Sequence, residues 1–217
     1  MKIKELILYT QNLDAQIEFY SNVLEFELLH KSKTGCSFTL GNSILSFKIR
    51  KNADPYHFAF NIYSNMEQEA FSWLKERLDI LPFNGEEIVN FESWNAKALY
   101  FYDSDMNIVE FIARKNLKRN SNLPFSSHSI LNISEIGIPS STMRKTYNEI
   151  NILRPIKLYS GDFDRFGALG NEEGMFILVN PILKKWFPND DNIHQSDFII
   201  KGDYNFEFRN GNIIEIM

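Results

Sequence analysis

A βαβββ order of predicted elements occurs more than once along this 217-residue chain, and that repetition constrains the fold more than any other feature. Residues 3–10 alternate as in a strand, and residues 13–24 carry apolar side chains at helical spacing behind the capping candidate Asn12. Three strand-like runs follow before residue 50. The same order restarts at His57, where a capping box, Ser64-Asn65-Met66-Glu67, opens a second helix.

The second half of the chain repeats the pattern less completely. A third module is predicted from residue 130 to residue 179, with a helix capped by Ser140 or Ser141. Residues 181–192 form a predicted loop, and three short strands follow, the last at residues 212–217, with no helix between them. The predicted organisation is therefore a pair of modules over residues 1–115, a polar linker over 116–129, and over 130–217 a third module with the helix-less remnant of a fourth.

Each module alone has an apolar sheet face and an unpaired edge, so it must pack against another module. This predicts an α+β fold of cupped mixed sheets with the helices on the convex face. The concave face then stays open for a ligand, and a composition of 14% aromatic residues, including 19 Phe, favours an apolar cavity.

Composition excludes several kinds of binding partner and indicates the cellular compartment. The net charge of −5 gives no basic field for nucleic acid, and the basic run at residues 114–119 is interpreted as a solvated linker. No apolar run approaches the roughly 20 residues that a membrane helix needs, and no leader-like apolar stretch opens the chain. One cysteine, Cys36, excludes an intrachain disulfide and is expected to be buried in a strand. We therefore expect a cytoplasmic protein without membrane or nucleic-acid partners.

Three segments resemble motifs of the vicinal oxygen chelate superfamily, which includes glyoxalases, bleomycin-resistance proteins and extradiol dioxygenases. They are the helix LDAQIEFYSNVLEF at residues 13–26, the strand HFAF at residues 57–60, and LYFYDSDMNIVEF at residues 99–111. Glu25, Ser104 and Met106 depart from the residues that these motifs usually carry. The resemblance covers residues 2–115 well and 130–217 weakly. It implies the fold but no single reaction, since this fold hosts several.

The resemblance implies a divalent metal site in the cup. It places Glu5, His57 and Glu110 at ligand positions, with Ser46 at a fourth position that a hydroxyl serves poorly. One histidine with two carboxylates suits Fe(II), Mn(II) or Zn(II), although it departs from the two-histidine, one-carboxylate set of oxygenases. The corresponding residues of the second half, which are interpreted as structural remnants, are Glu135, Asp197 and Glu215.

Polar and aromatic side chains near these strands are candidates for lining a ligand pocket. Strand alternation puts His57, Ala59 and Asn61 on one face, and Tyr9 on the same face as Glu5. The predicted ligand-binding residues, which suit a small and partly aromatic compound, are Tyr9, Ser46, Asn61, Trp94, Tyr100 and Tyr102.

Two functions from different classes remain open at this point. The first is a metal-dependent lyase, isomerase or ring-cleaving dioxygenase, favoured by His57 and Glu110. The second is a metal-free protein that sequesters a small apolar compound, favoured by Glu5 and Ser46 at ligand positions. Either a monomer or a homodimer is compatible with the module edges.

Overall fold

The computed structural model of the protein describes residues 1–216, and within them the chain forms sixteen strands of one continuous sheet and three α-helices. The predicted α+β class with repeated modules is confirmed. Within the same residues, no helix is both long and apolar enough to cross a membrane. Met217, the last residue of the predicted final strand, lies outside the described residues.

The elements fall into four consecutive modules. Module 1 comprises β1 (Ile3–Thr10), α1 (Leu13–Glu18), β2 (Glu27–Lys31), β3 (Gly35–Leu40) and β4 (Ser43–Ile49). Module 2 comprises β5 (His57–Ile62), α2 (Glu67–Lys75), β6 (Ile80–Leu81), β7 (Val89–Phe91), β8 (Ala96–Tyr102) and β9 (Ile108–Arg114). Module 3 comprises β10 (Ile130–Pro139), α3 (Met143–Leu153), β11 (Leu158–Gly161), β12 (Phe166–Asn171) and β13 (Gly174–Val179). Module 4 comprises β14 (Phe198–Gly202), β15 (Phe206–Arg209) and β16 (Asn212–Glu215).

The helix starts follow the predicted caps only in part. Asn12 caps α1 as predicted, with its side chain accepting from the Ala15 amide. The predicted capping box of α2 does not form, because the Ser64 hydroxyl donates to the carbonyl of Arg114 and thereby ties the helix entry to β9. Helix α3 begins after Thr142, and no side chain caps it. The Ser140 hydroxyl instead accepts a hydrogen bond from the Thr142 amide, just before the helix starts.

The modules pair in a different order from the one expected. Modules 1 and 2 were expected to share a cup, but β10 lies between β1 and β5 in the sheet. Strand β5 pairs antiparallel with β10, and β1 pairs antiparallel with β14, so module 2 faces module 3 and module 1 faces module 4. Both β5 and β10 are buried along their whole length, as strands with neighbours on both edges should be. The sheet therefore runs across the predicted boundary at residues 116–129.

Alternate residues of the central strands face different surroundings. On β5, Phe58 and Phe60 belong to the large core beneath the helices, together with Tyr20, Leu74 and Ile150. The intervening Ala59 belongs to a second apolar cluster inside the cup. This period-two division gives the cup of modules 2 and 3 its own set of side chains.

The turn of the 99–111 motif also joins modules 1 and 2. The buried carboxylate of Asp103 accepts hydrogen bonds from Tyr20 Oη at 2.9 Å, Gln16 Nε2 at 3.2 Å and Asn107 Nδ2 at 2.7 Å. Tyr20 and Gln16 come from the first helical segment, so the two motifs recognised in the sequence meet at this contact.

Cys36 is buried in β3 as expected, and burial raises the pKa of its thiol from 9.0 to about 11. A rise of this size leaves about 100-fold less thiolate near pH 8, and the thiolate is the reactive form. We expect the native protein to react with an aromatic disulfide reagent at least about 100-fold more slowly than the urea-unfolded chain. Absorbance of the released thiolate measures both rates, and equal rates would contradict the burial of Cys36.

Candidate metal centre and cavity

Three buried ligand residues meet at the base of the cup between modules 2 and 3. His57 opens β5, Glu110 lies within β9 and Glu135 lies within β10. One ligand atom from each residue lies within 4.8 Å of the other two. Their exposed fractions are 7%, 3% and 3%. This spacing would let all three side chains reach one ion.

The strand register explains why the carboxylates converge. In the sheet order β9-β5-β10, Ala59 pairs with Glu110 on one side and with Glu135 on the other. A single methyl group at Ala59 leaves room above the central strand for two longer side chains. His57 lies two residues earlier on the same strand and so on the same face.

The repeat also identifies a fourth position of the site. Glu110 pairs with the residue two places after His57, and Ile177 of β13 pairs with Gly137, two places after Glu135. Ile177 is therefore the equivalent of Glu110 in module 3. Because its side chain is aliphatic, the set of candidate ligands is three side chains rather than four.

His57 is held in the form that binds metal. Its Nδ1 lies 3.1 Å from the carbonyl oxygen of Ile108, which places the proton on Nδ1 and leaves Nε2 facing Glu110 Oε2 at 3.7 Å. Burial lowers the pKa of His57 to about 4, so the imidazole is neutral at pH 7. The contact with Glu110 is consequently not an ion pair at that pH.

Two further residues surround the carboxylates. Burial, followed by the charge of Glu135, raises the pKa of Glu110 well above its usual range, and the guanidinium of Arg114 and the hydroxyl of Tyr100 partly offset this rise. Burial also raises the pKa of Glu135, while the guanidinium of Arg114 partly offsets this. Arg114 is fully buried and donates to Glu135 through Nη2, while its Nε and Nη1 have no hydrogen-bond partner among the described residues. The site thus holds two carboxylates close together with one buried cation behind them.

A cavity of about 250 Å³ opens above these ligands. Its wall is mainly aromatic, and part of it comes from the segment between β13 and β14. In that segment, the ring centre of Trp186 lies 5.0 Å from that of His57, and the ring centre of Phe187 lies 5.2 Å from that of Tyr100. The residues that line the cavity are His57, Phe91, Trp94, Tyr100, Glu110, Ile112, Glu135, Phe166, Ile177, Lys184, Trp186 and Phe187.

Four of the six predicted ligand-binding residues lie in module 2, but only two of these four line the cavity. Trp94 and Tyr100 are part of its wall. Tyr102 lies nearby, where its hydroxyl donates to Asp191 Oδ2 at 2.6 Å and thereby holds the covering segment. Asn61 donates to the carbonyl of Glu172 at 2.9 Å, so it contacts the turn between β12 and β13 instead of the cavity.

The structure places Glu5 away from His57 and Glu110. Its carboxylate accepts from Lys201 Nζ at 2.8 Å and from Ser46 Oγ at 3.0 Å in the cup of modules 1 and 4. Tyr9 lies on the same strand, beneath the guanidinium of Arg50. The prediction that Glu5, Ser46 and Tyr9 share a cup with His57 and Glu110 is therefore wrong, because β1 pairs with β14 and not with β5.

Sequence reasoning missed several residues of this site. Glu135 was interpreted as a structural remnant, although its place in module 3 matches that of Glu5 in module 1, and this equivalence was the available signal. Arg114 was assigned to a solvated linker, but it ends β9 and is buried. Lys184 and Trp186 come from the predicted loop, in which no local pattern indicates contact with the cup.

Comparisons with known proteins agree with this architecture. Metallothiol transferase FosB from Staphylococcus haemolyticus is 29% identical over 116 residues, which cover 50% of this chain and 80% of that protein. The Staphylococcus epidermidis protein of the same name is 27% identical over 116 residues, covering 50% of this chain and 78% of its own. No protein-family model matches the chain.

Two solved structures resemble most of the chain. A candidate dioxygenase from Bacillus subtilis has a TM-score of 0.62 at 12% identity, over 82% of this chain and 63% of that one, so this chain spans less than two thirds of it. A mutant of glyoxalase I from Zea mays has a TM-score of 0.58 at 13% identity, over 84% of this chain and 70% of that one.

The modules, their sheet and these neighbours define a protein with the vicinal oxygen chelate fold. The resemblance to this superfamily inferred from the three sequence motifs is confirmed. The buried histidine and two glutamates make metal binding plausible within that fold.

Proposed function

We propose that this protein is a divalent-metal-dependent enzyme of the vicinal oxygen chelate type that acts on a small oxygen-bearing organic compound. The observation that carries the proposal is the meeting of His57, Glu110 and Glu135 ligand atoms within 4.8 Å at the buried base of a cavity. Because the donor set is one neutral imidazole and two carboxylates, it fits Mn(II), Fe(II) or Zn(II). The metallothiol transferase relatives, whose name implies a metal, support the same reading.

His57, Glu110 and Glu135 would hold such an ion, which would supply Lewis-acid chemistry toward the oxygen atoms of a substrate. The remaining roles belong to the chain. The Ile108 carbonyl orients His57, and the Tyr100 hydroxyl favours the ionised form of Glu110. Trp186 and Phe187 cover the cavity, where they would exclude water from a bound substrate. The reaction classes that this arrangement suits are isomerisation, lyase chemistry and dioxygenation.

A second function, metal-free binding of a small compound, is favoured by one observation. The aromatic wall closes over His57, with Trp186 only 6% exposed and packed against the imidazole ring. A compound of suitable shape would gain apolar contact there without any ion.

Metal titration separates the two functions. We expect protein that has been purified without a histidine tag and treated with a chelator to bind one equivalent of Mn(II) in calorimetry and to unfold at a higher temperature with the ion bound. Elemental analysis after dialysis gives the stoichiometry. If Mn(II), Fe(II) and Zn(II) all fail to bind, the enzyme proposal is overturned and the binding function remains.

A further inference from the structure

Lys184 is a cation in the cavity wall without an acidic partner among residues 1–216. Its ammonium lies 4.5 Å above the centre of the Phe166 ring. Burial, followed by the charge of Arg165, lowers the pKa of Lys184, and no carboxylate acts in the other direction. By contrast, Lys115, Lys201 and Arg119 are each paired with a glutamate. A half-buried, unpaired ammonium that faces a cavity is costly unless something of opposite charge enters it.

The other walls around Lys184 suit a flat apolar body. On one side, the ring centres of Trp94 and Phe166 are 6.4 Å apart. On another side, the ring centres of Phe91 and Phe187 are 5.7 Å apart. Aromatic side chains prefer a flat partner in offset or edge-to-face contact. The cavity therefore offers an aromatic slot with one cation at its wall and the candidate metal ligands at its base.

The charges of the site point to the same kind of ligand. With a divalent ion bound, the two negative charges of Glu110 and Glu135 would face four positive charges, from the ion, Arg114 and Lys184, while His57 is neutral at pH 7. A divalent ion at the base would leave the cavity with excess positive charge. A ligand that brings a negative group would restore the balance.

We propose that Lys184 is the specificity residue of the cavity and that its ligand is an aromatic anion, with the ring between the aromatic walls and the anionic oxygens on the Lys184 ammonium. This deepens the proposed function by naming its substrate class and rests on the same cavity. It does not require that the ion be bound, because Lys184 comes from the covering segment and not from the set of metal ligands.

Benzoate and benzamide test this, because they share size and shape and differ in charge. We expect calorimetry to show benzoate binding to the wild type about tenfold more tightly than benzamide, with the difference falling to within about twofold in Lys184→Met. Methionine keeps an apolar stem against Phe166, and Lys184→Arg should keep the preference. The matched control is Lys185→Met, because Lys185 is exposed and bonds Asn192, so the preference should be unchanged.

Each titration is run in chelator and again with saturating Mn(II), and the metal content is measured in every sample. If no metal binds while benzoate still prefers the wild type to Lys184→Met, the metal proposal fails and the assignment of Lys184 stands. If Lys184→Met keeps the full preference for benzoate, or if the wild type binds neither compound at millimolar concentration, the assignment of Lys184 is overturned.

Discussion

Replacing Glu110 or Glu135 with glutamine is expected to weaken Mn(II) binding by about 100-fold or more, whereas replacing Glu5 with glutamine should leave it within about twofold of the wild type. The amide removes an anionic ligand without changing the size of the side chain. Glu5 faces Lys201 and Ser46 in the other cup, so its loss does not reach the candidate ion. Calorimetric titration of chelator-treated protein measures all three affinities.

The three variants also distinguish two ways of pairing the modules. If module 1 faced module 2, Glu5→Gln would lose the metal and Glu135→Gln would keep it. Such an outcome would contradict the strand order described above. Circular dichroism and thermal unfolding in the metal-free state serve as the control, since each variant must be folded for its affinity to count.

Removal of the Arg114 guanidinium is expected to have a large effect on stability. In Arg114→Met, the Glu135 carboxylate stays buried beside Glu110 without a cation, and breaking a buried pair in this way costs about 3–5 kcal/mol. Both partners are almost fully buried, at 0% and 4% side-chain exposure, so solvent screening does little to reduce the cost. Urea unfolding at pH 7 in the presence of a chelator measures the loss.

The double variant Arg114→Met, Glu135→Gln provides the comparison. It removes both charges together, so we expect it to recover roughly half or more of the stability lost in the single variant. Saturating Mn(II) should also stabilise Arg114→Met more than the wild type, because the ion replaces the missing positive charge. Equal stability of the single and double variants would show that the buried charge of Glu135 is not the cause.

The local parts of this fold were predictable from the sequence because they depend on short-range patterns. Alternating residues marked the strands, Asn12 marked the start of the first helix, and the motifs at residues 57–60 and 99–111 brought His57 and Glu110 forward as candidate ligands. The missing helix of module 4 was also visible, since residues 197–216 carry no helical periodicity, and the structure has three strands and no helix there.

The third member of the site was not predictable in the same way. Whether Glu5 or Glu135 joins His57 depends on which module edge lies beside β5, and this choice is made by contacts between strands far apart in the chain. Lys201, which donates a hydrogen bond to the Glu5 carboxylate, is 196 residues away from it in sequence. Arg114 shows the same limit, because it opens a basic run in the sequence, whereas its partner Glu135 lies on β10, on the far side of β5 in the sheet.

In the sequence, modules 2 and 3 lie between modules 1 and 4, which face each other in the sheet. This order has a consequence for the sequence of steps in which the protein acquires its structure. The strands of the cup that holds the candidate metal centre are all synthesised by residue 179. Most of one edge of β1, however, has no partner until β14 is made at residues 198–202. At a synthesis rate of about 5–20 residues per second, that edge stays open for roughly 10 to 40 seconds on the ribosome. The chain therefore completes the half that carries its candidate chemistry first, while its earliest strand remains the edge most exposed to wrong partners.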